Sequence, residues 1–229
     1  MHNSRPTIVF DLDGTLVDTR DDLVATLNAI LVADGMQPMP SDKVIGMVGS
    51  GSRVLIESAF AYEGRTLTAE RLDRLLAAFL AYYDEHIVDA SRPYPGTEAM
   101  LDRFISAGWL LAVCTNKYEA PAKKLLGLLG LEHRFAAITG QDTFGFRKPD
   151  PRHLTETIAL ARGNPSRAVM VGDSATDIDT ARAAAIPVVA VTFGYSTVPV
   201  ASLRPDRVID TYSDLFAAVE TLPFAKAPS

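Results

Sequence analysis

Two aspartates that follow a short apolar run are the first candidates for chemistry. Residues 7–10 have the apolar, β-branched character of a buried strand, and Asp11, Asp13 and Gly14 come soon after them. Ligands bind at the carboxyl ends of strands in an open parallel sheet, and Gly14 allows a tight turn there. The alternative is a polar turn in which an aspartate caps the next helix. We expect Asp11 and Asp13 to form part of a catalytic site.

A second pair of acids follows another apolar run, at residues 168–171. Asp173 stands at the end of this predicted strand, and Asp177 lies four residues later, where its simplest role is to cap a helix. If both met Asp11 and Asp13, four carboxylates would repel one another unless a cation joined them. Oxygen ligands without histidine or cysteine suit Mg²⁺. We therefore predict Mg²⁺ as the cofactor, with these four aspartates as the candidate metal ligands.

Three polar side chains further along the chain are suited to hold a phosphate group. Thr115 and Asn116 follow the apolar run 109–114, and their hydroxyl and amide groups can donate hydrogen bonds to phosphate oxygens. Lys148 precedes a predicted helix and can bring a positive charge to the same site. Taken alone, Thr-Asn is common in turns and a loop lysine is usually a solvated surface charge. The prediction of phosphate binding depends on their occurrence together with the four acids.

These four motifs, in this order, resemble those of the haloacid dehalogenase superfamily of phosphotransferases. The matching residues are Asp11-Leu12-Asp13-Gly14-Thr15, Thr115, Lys148, and Gly172-Asp173-Ser174 through Asp177. The resemblance implies that Asp11 is a nucleophile that forms an aspartyl phosphate, and that Asp13 protonates the leaving oxygen and then activates water. The dehalogenase branch lacks the second acid, because a halide leaves without a proton. The presence of Asp13 therefore favours phosphoryl chemistry.

The same resemblance implies how the metal and the phosphate are held. Mg²⁺ would bind the Asp11 carboxylate, the Asp13 backbone carbonyl and Asp173. Asp177 would act through water or by supporting these ligands. Thr115, Asn116 and Lys148 would hold the transferring phosphoryl group. The expected partner is thus a small phosphorylated metabolite.

Substrate selection is expected from the segment between the first two core motifs. Residues 19–90 have helical patterns interrupted by a glycine-rich stretch, and they look like the small helical cap of the superfamily. The stretch 48–56 looks like the cap loop of its phosphoglycolate phosphatase branch, although a glycine-rich turn between helices would have a similar sequence. We name Gly49, Ser50, Gly51 and Arg53 as candidate specificity residues, with Arg53 as the partner of a substrate carboxylate.

The elements that must position these residues alternate between strand and helix. Outside 19–90, helical patterns separate five short apolar runs and a last short strand, which indicates an α/β doubly wound fold with a mostly parallel, Rossmann-like sheet. The predicted strands are 7–10, 109–114, 136–139, 168–171, 188–191 and 207–209, and the predicted helices are 97–107, 119–129, 151–161, 176–184 and 213–222. We predict an α/β catalytic core at 1–18 and 91–229, with an inserted all-helical cap domain at 19–90.

Composition excludes several other classes of protein. The 229 residues carry 22 Lys and Arg against 28 Asp and Glu, a net charge of −6, which does not suit a nucleic-acid-binding protein. No apolar run is long enough for a membrane span, and the single cysteine, Cys114, cannot form an internal disulfide. A cytoplasmic monomer or homodimer is expected.

The resulting hypothesis is a Mg²⁺-dependent phosphomonoester hydrolase that acts on 2-phosphoglycolate. The alternatives among enzymes are a phosphatase of another small metabolite, a pyrophosphatase, and a phosphotransferase similar to phosphoglucomutase. A mutase would use the same two aspartates but return the phosphoryl group to its substrate. A phospho-accepting regulatory domain is the alternative outside the enzymes, since such domains also use an aspartate at a strand end with Mg²⁺.

Overall fold

The computed structural model describes residues 5–224, and its centre is a six-stranded sheet in which all neighbouring strands are parallel. In chain order the strands are β1 (Thr7–Phe10), β2 (Val17–Asp18), β3 (Arg92–Pro93), β4 (Leu110–Cys114), β5 (Ala137–Thr139), β6 (Ala168–Gly172), β7 (Val188–Val191) and β8 (Arg207–Ile209). The sheet has the order β5-β4-β1-β6-β7-β8, while β2 and β3 form a separate antiparallel pair.

Helices separate the strands and cover both faces of the sheet. They are α1 (Arg20–Ala33), α2 (Ser41–Ile45), α3 (Ser52–Tyr62), α4 (Ala69–Glu85), α5 (Thr97–Ser106), α6 (Glu119–Leu128), α7 (Pro151–Leu160), α8 (Ala175–Ala183) and α9 (Leu215–Glu220). In β1, Ile8 and Phe10 belong to one apolar cluster and Val9 to the other, so the strand is buried on both faces. The predicted α/β doubly wound core is confirmed.

Helices α1 to α4 form one insert between β2 and β3, and we call residues 20–85 the helical insert. Val17 pairs with Pro93 and Asp18 with Arg92, so the chain leaves the core and returns to it through two paired strands. This pair was not predicted, because two residues are too few to produce a periodic pattern. The limits 19–90 for a separate cap domain stay a prediction.

The strand order creates the crevice in which a ligand would bind. From β1 the chain runs outward through β4 to β5, and it then returns to the other side of β1 as β6. The carboxyl ends of β4, β1 and β6 therefore lie side by side at the point where the winding reverses, which is where α/β sheets bind ligands. None of the helices in residues 5–224 has the length and apolar character to span a membrane.

Candidate active site

Asp11 follows β1 directly and is buried. Its Oδ1 accepts a hydrogen bond from the backbone N–H of Leu12 at 2.7 Å and lies 2.9 Å from Nζ of Lys148. Its Oδ2 makes no hydrogen bond with residues 5–224. Burial raises the pKa of Asp11 to about 6, although the positive charge of Lys148 opposes this shift. Asp11 therefore presents one carboxylate oxygen that is free for a ligand.

Asp13 lies two residues later, at the boundary between the core and the helical insert. Its Oδ1 accepts a hydrogen bond from the Thr19 hydroxyl at 2.7 Å. Nζ of Lys117 lies 2.9 Å from Oδ1 and 3.1 Å from Oδ2. Between the two acids and the insert, Gly14 has a φ of +80°, and a Cβ there would lie 2.6 Å from an oxygen of Asp173. Only glycine therefore fits this turn.

Asp173 follows β6 and is held by groups from two distant parts of the chain. The Thr15 hydroxyl donates to its Oδ1 at 3.0 Å, and the backbone N–H of Tyr195 donates to its Oδ2 at 2.7 Å. Burial raises the pKa of Asp173 to about 8, and the negative charges of Asp177 and Asp11 contribute to the same shift. Without a cation nearby, its ionised form is thus disfavoured.

Asp177 caps α8, as its position in the sequence predicted, and it also contacts Lys148. Its Oδ2 accepts hydrogen bonds from the backbone N–H groups of Asp173 and Ser174 and from the Ser174 hydroxyl, which forms a capping box at the start of α8. Its Oδ1 lies 2.7 Å from Nζ of Lys148. Both oxygens of the Asp177 carboxylate thus have partners in the protein, so Asp177 stabilises the positions of Lys148 and of the start of α8.

Lys148 joins the two groups of acids. Its side chain is 1% exposed and contacts both Asp11 and Asp177. Burial alone would lower the pKa of Lys148, but the two carboxylates outweigh it and raise the pKa, so the ammonium keeps its charge. The backbone N–H of Lys148 donates to Nδ1 of buried His153 at 3.2 Å, which fixes the start of the loop before α7.

Thr115 and Asn116 follow β4, as predicted, and lie beside these charged groups. The Thr115 hydroxyl accepts a hydrogen bond from the backbone N–H of Lys117 at 3.1 Å. Nδ2 of Asn116 donates to the backbone carbonyls of Gly49 at 3.2 Å and Lys148 at 3.1 Å. Asn116 therefore connects the glycine-rich loop of the helical insert to the core.

The acids Asp11, Asp173 and Asp177 offer oxygens that lie within 4.8 Å of one another, which is the arrangement a metal ion requires. All the donors are carboxylate oxygens, and this donor set fits Mg²⁺. The raised pKa of Asp11 and of Asp173 indicates that a cation would relieve an electrostatic cost. Because Asp177 is occupied by Lys148 and Ser174, we expect Asp11 and Asp173 to hold the ion directly.

A cavity between the core and the helical insert opens onto Asp11 and Asp13. It has a volume of about 50 Å³, and Thr115, Asn116 and Lys117 line its core side. Most of the remaining wall is apolar and comes from Leu23, Val48, Leu55, Phe79, Leu80 and Pro121. We call this space the substrate cavity. Its volume admits a small polar group of a few atoms.

The four candidate specificity residues do not share one location. Gly49 and Gly51 line the substrate cavity, whereas Ser50 does not. Arg53 lies outside it, 40% exposed, with Nη2 2.6 Å from Asp73 of α4. Successive residues of a helix are about 100° apart. Ser52 at the start of α3 faces the cavity and Arg53 does not, so the contact between Arg53 and a substrate carboxylate stays a prediction.

The cavity residues that the sequence analysis missed include Lys117, Tyr83 and Ser52. Lys117 comes directly after Thr115 and Asn116, so its position at a strand end was a usable signal. Tyr83 belongs to the apolar face of α4, and such a face by itself indicates only core packing. Ser52 stands beside the predicted specificity residues, and only the orientation of α3 distinguishes it from Arg53.

Comparisons with known proteins agree with this geometry. The model of the haloacid dehalogenase-like hydrolase family matches residues 8–191. A phosphoglycolate phosphatase from Mesorhizobium japonicum is 55% identical over 212 residues, which are 93% of each chain. One from Agrobacterium fabrum is 49% identical over 214 residues, covering 93% of this chain and 92% of its own.

A solved structure extends the likeness to three dimensions. The crystal structure of a predicted phosphoglycolate phosphatase from Haemophilus somnus superposes with a TM-score of 0.87 at 29% identity. It covers 95% of this chain and 99% of its own, so the superposition includes the helical insert as well as the core. The chain belongs to the haloacid dehalogenase-like hydrolase family.

Proposed function

We propose that this hydrolase is a Mg²⁺-dependent phosphomonoesterase that converts 2-phosphoglycolate to glycolate and phosphate through an aspartyl phosphate. The single observation that carries the proposal is the pairing of two acids at one strand end. Asp11 has a free carboxylate oxygen beside Lys148, and Asp13 lies on the adjacent cavity wall. Asp11 is thus suited to attack phosphorus, and Asp13 is suited to protonate the leaving group.

In the first step, Oδ2 of Asp11 attacks the phosphorus atom in line with the ester oxygen. The bond between phosphorus and the ester oxygen breaks, and its electron pair goes to that oxygen. Asp13, in its protonated form, transfers its proton to the ester oxygen, so that glycolate leaves as an alcohol. Asp11 then carries the phosphoryl group as a mixed anhydride.

In the second step, Asp13 accepts a proton from water while the water oxygen attacks phosphorus. The bond between phosphorus and the Asp11 oxygen breaks, which releases inorganic phosphate and regenerates the carboxylate. Nζ of Lys148 lies 2.9 Å from Asp11, so it can bind a phosphoryl oxygen throughout. Thr115 lies next to it at the end of β4 and can donate its hydroxyl to the same group.

Asp11 and Asp173 would hold Mg²⁺, together with the backbone carbonyl of Asp13, as the resemblance implies. The ion, when bound, supplies positive charge that offsets the negative charge developing on the phosphoryl oxygens. Asp177 keeps Lys148 and the start of α8 in place around it.

The choice of 2-phosphoglycolate is supported by the relatives and by the position of the substrate cavity. Relatives named phosphoglycolate phosphatase match 93% of the chain at 55% and 49% identity. The substrate cavity opens onto Asp11 and Asp13, so a small ester bound there would meet both acids. The helical insert would act as the cap, since Asn116 already joins its loop to the core at Gly49.

Phosphate release from a panel of phosphate esters tests this proposal. We expect Mg²⁺-dependent turnover, with kcat/KM for 2-phosphoglycolate at least ~10-fold above that for 2-hydroxyethyl phosphate, which has a neutral group in place of the carboxylate. Stoichiometric release of free phosphate would exclude a mutase. Greater activity on pyrophosphate or on a sugar phosphate would contradict the proposed substrate.

A further inference from the structure

Lys117 provides the substrate cavity with a positive charge that the proposed chemistry does not use. Its side chain is 7% exposed, and Nζ lies 2.9 and 3.1 Å from the two oxygens of Asp13. The positive charge of Lys117 faces a cavity with largely apolar walls, so its contact with one carboxylate does not prevent it from attracting a second anion. Lys117 is the only cation among the described residues that line this cavity. Lys148, by contrast, does not line this cavity and contacts Asp11 and Asp177 in the core.

Electrostatics keep Lys117 charged although it is buried. The carboxylate of Asp13, 2.9 Å from Nζ, stabilises the ammonium in this buried position. Nζ also lies 4.5 Å from the centre of the Tyr83 ring, a distance typical of a cation–π contact. The ammonium is thus held in a fixed position at the wall of a largely apolar cavity, where an ionic contact is stronger than in water.

The helical insert contributes polar groups without partners to the same cavity. Tyr83 is 2% exposed, and its hydroxyl oxygen lies beside the Lys117 ammonium, while its O–H donor has no acceptor among residues 5–224. The buried Ser52 hydroxyl is likewise unpaired within this part of the chain. Ser52 is also the first residue of the 11-residue helix α3, and Gly51 before it provides no side-chain cap. Buried polar groups normally have partners, so three sets of unsatisfied donors around one cavity indicate a ligand.

We propose that Lys117, Tyr83 and Ser52, with the N-terminus of α3, form a second anion subsite that binds the carboxylate of a small phosphorylated acid. The proposal rests on the function proposed above and adds the residues that recognise the part of the substrate that is not transferred. An anion is favoured at the N-terminus of a helix and beside an ammonium. Tyr83 and Ser52 would donate hydrogen bonds to it.

The position of Lys117 beside Asp13 matches the chemistry of such a substrate. In 2-phosphoglycolate a single methylene separates the ester oxygen from the carboxyl carbon. The group that protonates the ester oxygen and the cation that binds the carboxylate must therefore be neighbours. Asp13 and Lys117 are in direct contact. Lys117 would orient the leaving group toward Asp13 and select substrates with an acid at this distance from the ester.

The ratio of kcat/KM for 2-phosphoglycolate to that for 2-hydroxyethyl phosphate tests the subsite. Because Lys117 contacts Asp13, the Lys117→Met variant is expected to lose activity on both esters, and the ratio removes this shared loss. We expect the ratio to fall at least ~10-fold in Lys117→Met and ~3-fold in Tyr83→Phe, mainly through KM for 2-phosphoglycolate. Lys123→Met is the matched control, since Lys123 is exposed and pairs with Glu119 on α6.

Equal losses on both esters in Lys117→Met and Tyr83→Phe would overturn the subsite. If the wild-type protein shows no preference for 2-phosphoglycolate, the proposed function fails instead, so the two failures are distinguishable. Binding without turnover gives a second readout. We expect Lys117→Met to weaken binding of 3-phosphonopropionate, which has a carboxylate, at least ~5-fold more than binding of propylphosphonate, which does not. Equal weakening would contradict the subsite even if activity were lost altogether.

Discussion

The two lysines of the site lie in different surroundings. Lys148 is enclosed by the core and forms ion pairs with Asp11 and Asp177. Asp11 is held at the end of β1, and Asp177 is held by the capping box of α8. Lys117 lies where the core meets the helical insert, beside unpaired hydroxyl groups and apolar walls. Lys148 and its two carboxylates are paired within the protein, whereas hydroxyl donors at the boundary have no acceptor among residues 5–224. We therefore expect the core region to perform the chemistry and the boundary region to select the substrate.

The largest effect is expected from Lys148→Met. The variant removes the positive charge between two buried carboxylates. The transition state is then less stabilised, and Asp11 is no longer held in position by an ion pair. We expect kcat/KM to fall ~10³-fold, by the same factor for 2-phosphoglycolate and for 2-hydroxyethyl phosphate. Steady-state kinetics on both esters provides the measurement. A loss confined to the ester with a carboxylate would contradict the separation of the two regions.

A moderate effect is expected from Gly51→Ala, which acts on the boundary region alone. A Cβ at Gly51 would lie 2.9 Å from the Gln141 side chain and 3.0 Å from the backbone carbonyl of Asn116, so the loop must move away from the core. Gly49→Ala is the control, because Gly49 also has a positive φ but has open space around its Cβ position. We expect Gly51→Ala to lower kcat/KM ~5–10-fold more than Gly49→Ala. Equal kinetics for the two variants would show that this close approach is unimportant.

A smaller effect is expected on thermal stability, which Mg²⁺ bound at the core region should raise to an extent that depends on pH. The pKa of Asp173 is raised to about 8 from an ordinary value of 3.8, and that of Asp11 to about 6. At a pH between 3.8 and about 8, the folded metal-free protein therefore holds protons on these acids that the unfolded chain has lost. Its free energy of unfolding therefore falls as pH rises toward 8. Mg²⁺ displaces these protons, so it binds more tightly at the higher pH.

Thermal unfolding with and without Mg²⁺ measures this linkage. We expect the increase in Tm caused by the ion to be larger near pH 8 than near pH 6, because stabilisation by a ligand grows as its Kd decreases. Asp173→Asn should lose most of the increase at both pH values. An increase that is independent of pH, or that persists in Asp173→Asn, would argue against a metal held by these acids.

The smallest effect is expected from Arg53→Ala. Arg53 and Asp73 form an exposed ion pair, and such pairs contribute at most about 1 kcal/mol to stability. Since Arg53 does not line the substrate cavity, we expect kcat/KM for both esters to change less than ~2-fold. A selective rise in KM for 2-phosphoglycolate would instead assign the carboxylate to Arg53 and remove it from Lys117.

The sequence allowed the core to be predicted more fully than the boundary. Six strand positions and the helices between them agree with the structure to within about two residues. Five of these six strands are largely apolar runs, and the acids Asp11 and Asp173 follow such runs directly. Parallel strands bring their carboxyl ends to one edge, so the sequence alone predicted that Asp11, Thr115 and Asp173 would meet. Their catalytic and metal-binding roles stay predictions.

The boundary was harder to predict because it depends on the orientation of helices across a tertiary contact. Arg53 and Ser52 are adjacent in sequence, but only Ser52 faces the cavity. Tyr83 continues the apolar stripe of α4. Such a pattern does not indicate which of its residues lines a cavity. Tyr195, whose backbone N–H holds Asp173, comes from a loop far along the chain, and no local pattern indicates such a contact.

Phosphate release from 2-phosphoglycolate by the wild-type protein and by Asp11→Asn, at saturating Mg²⁺, tests the central claim most directly. Asparagine has nearly the same shape as aspartate but lacks the nucleophilic carboxylate, so circular dichroism should be unchanged. We predict steady turnover by the wild-type protein and a loss of at least ~10³-fold in kcat for Asp11→Asn. Turnover by Asp11→Asn at a rate similar to that of the wild-type protein would contradict the aspartyl-phosphate mechanism and the assignment of this site.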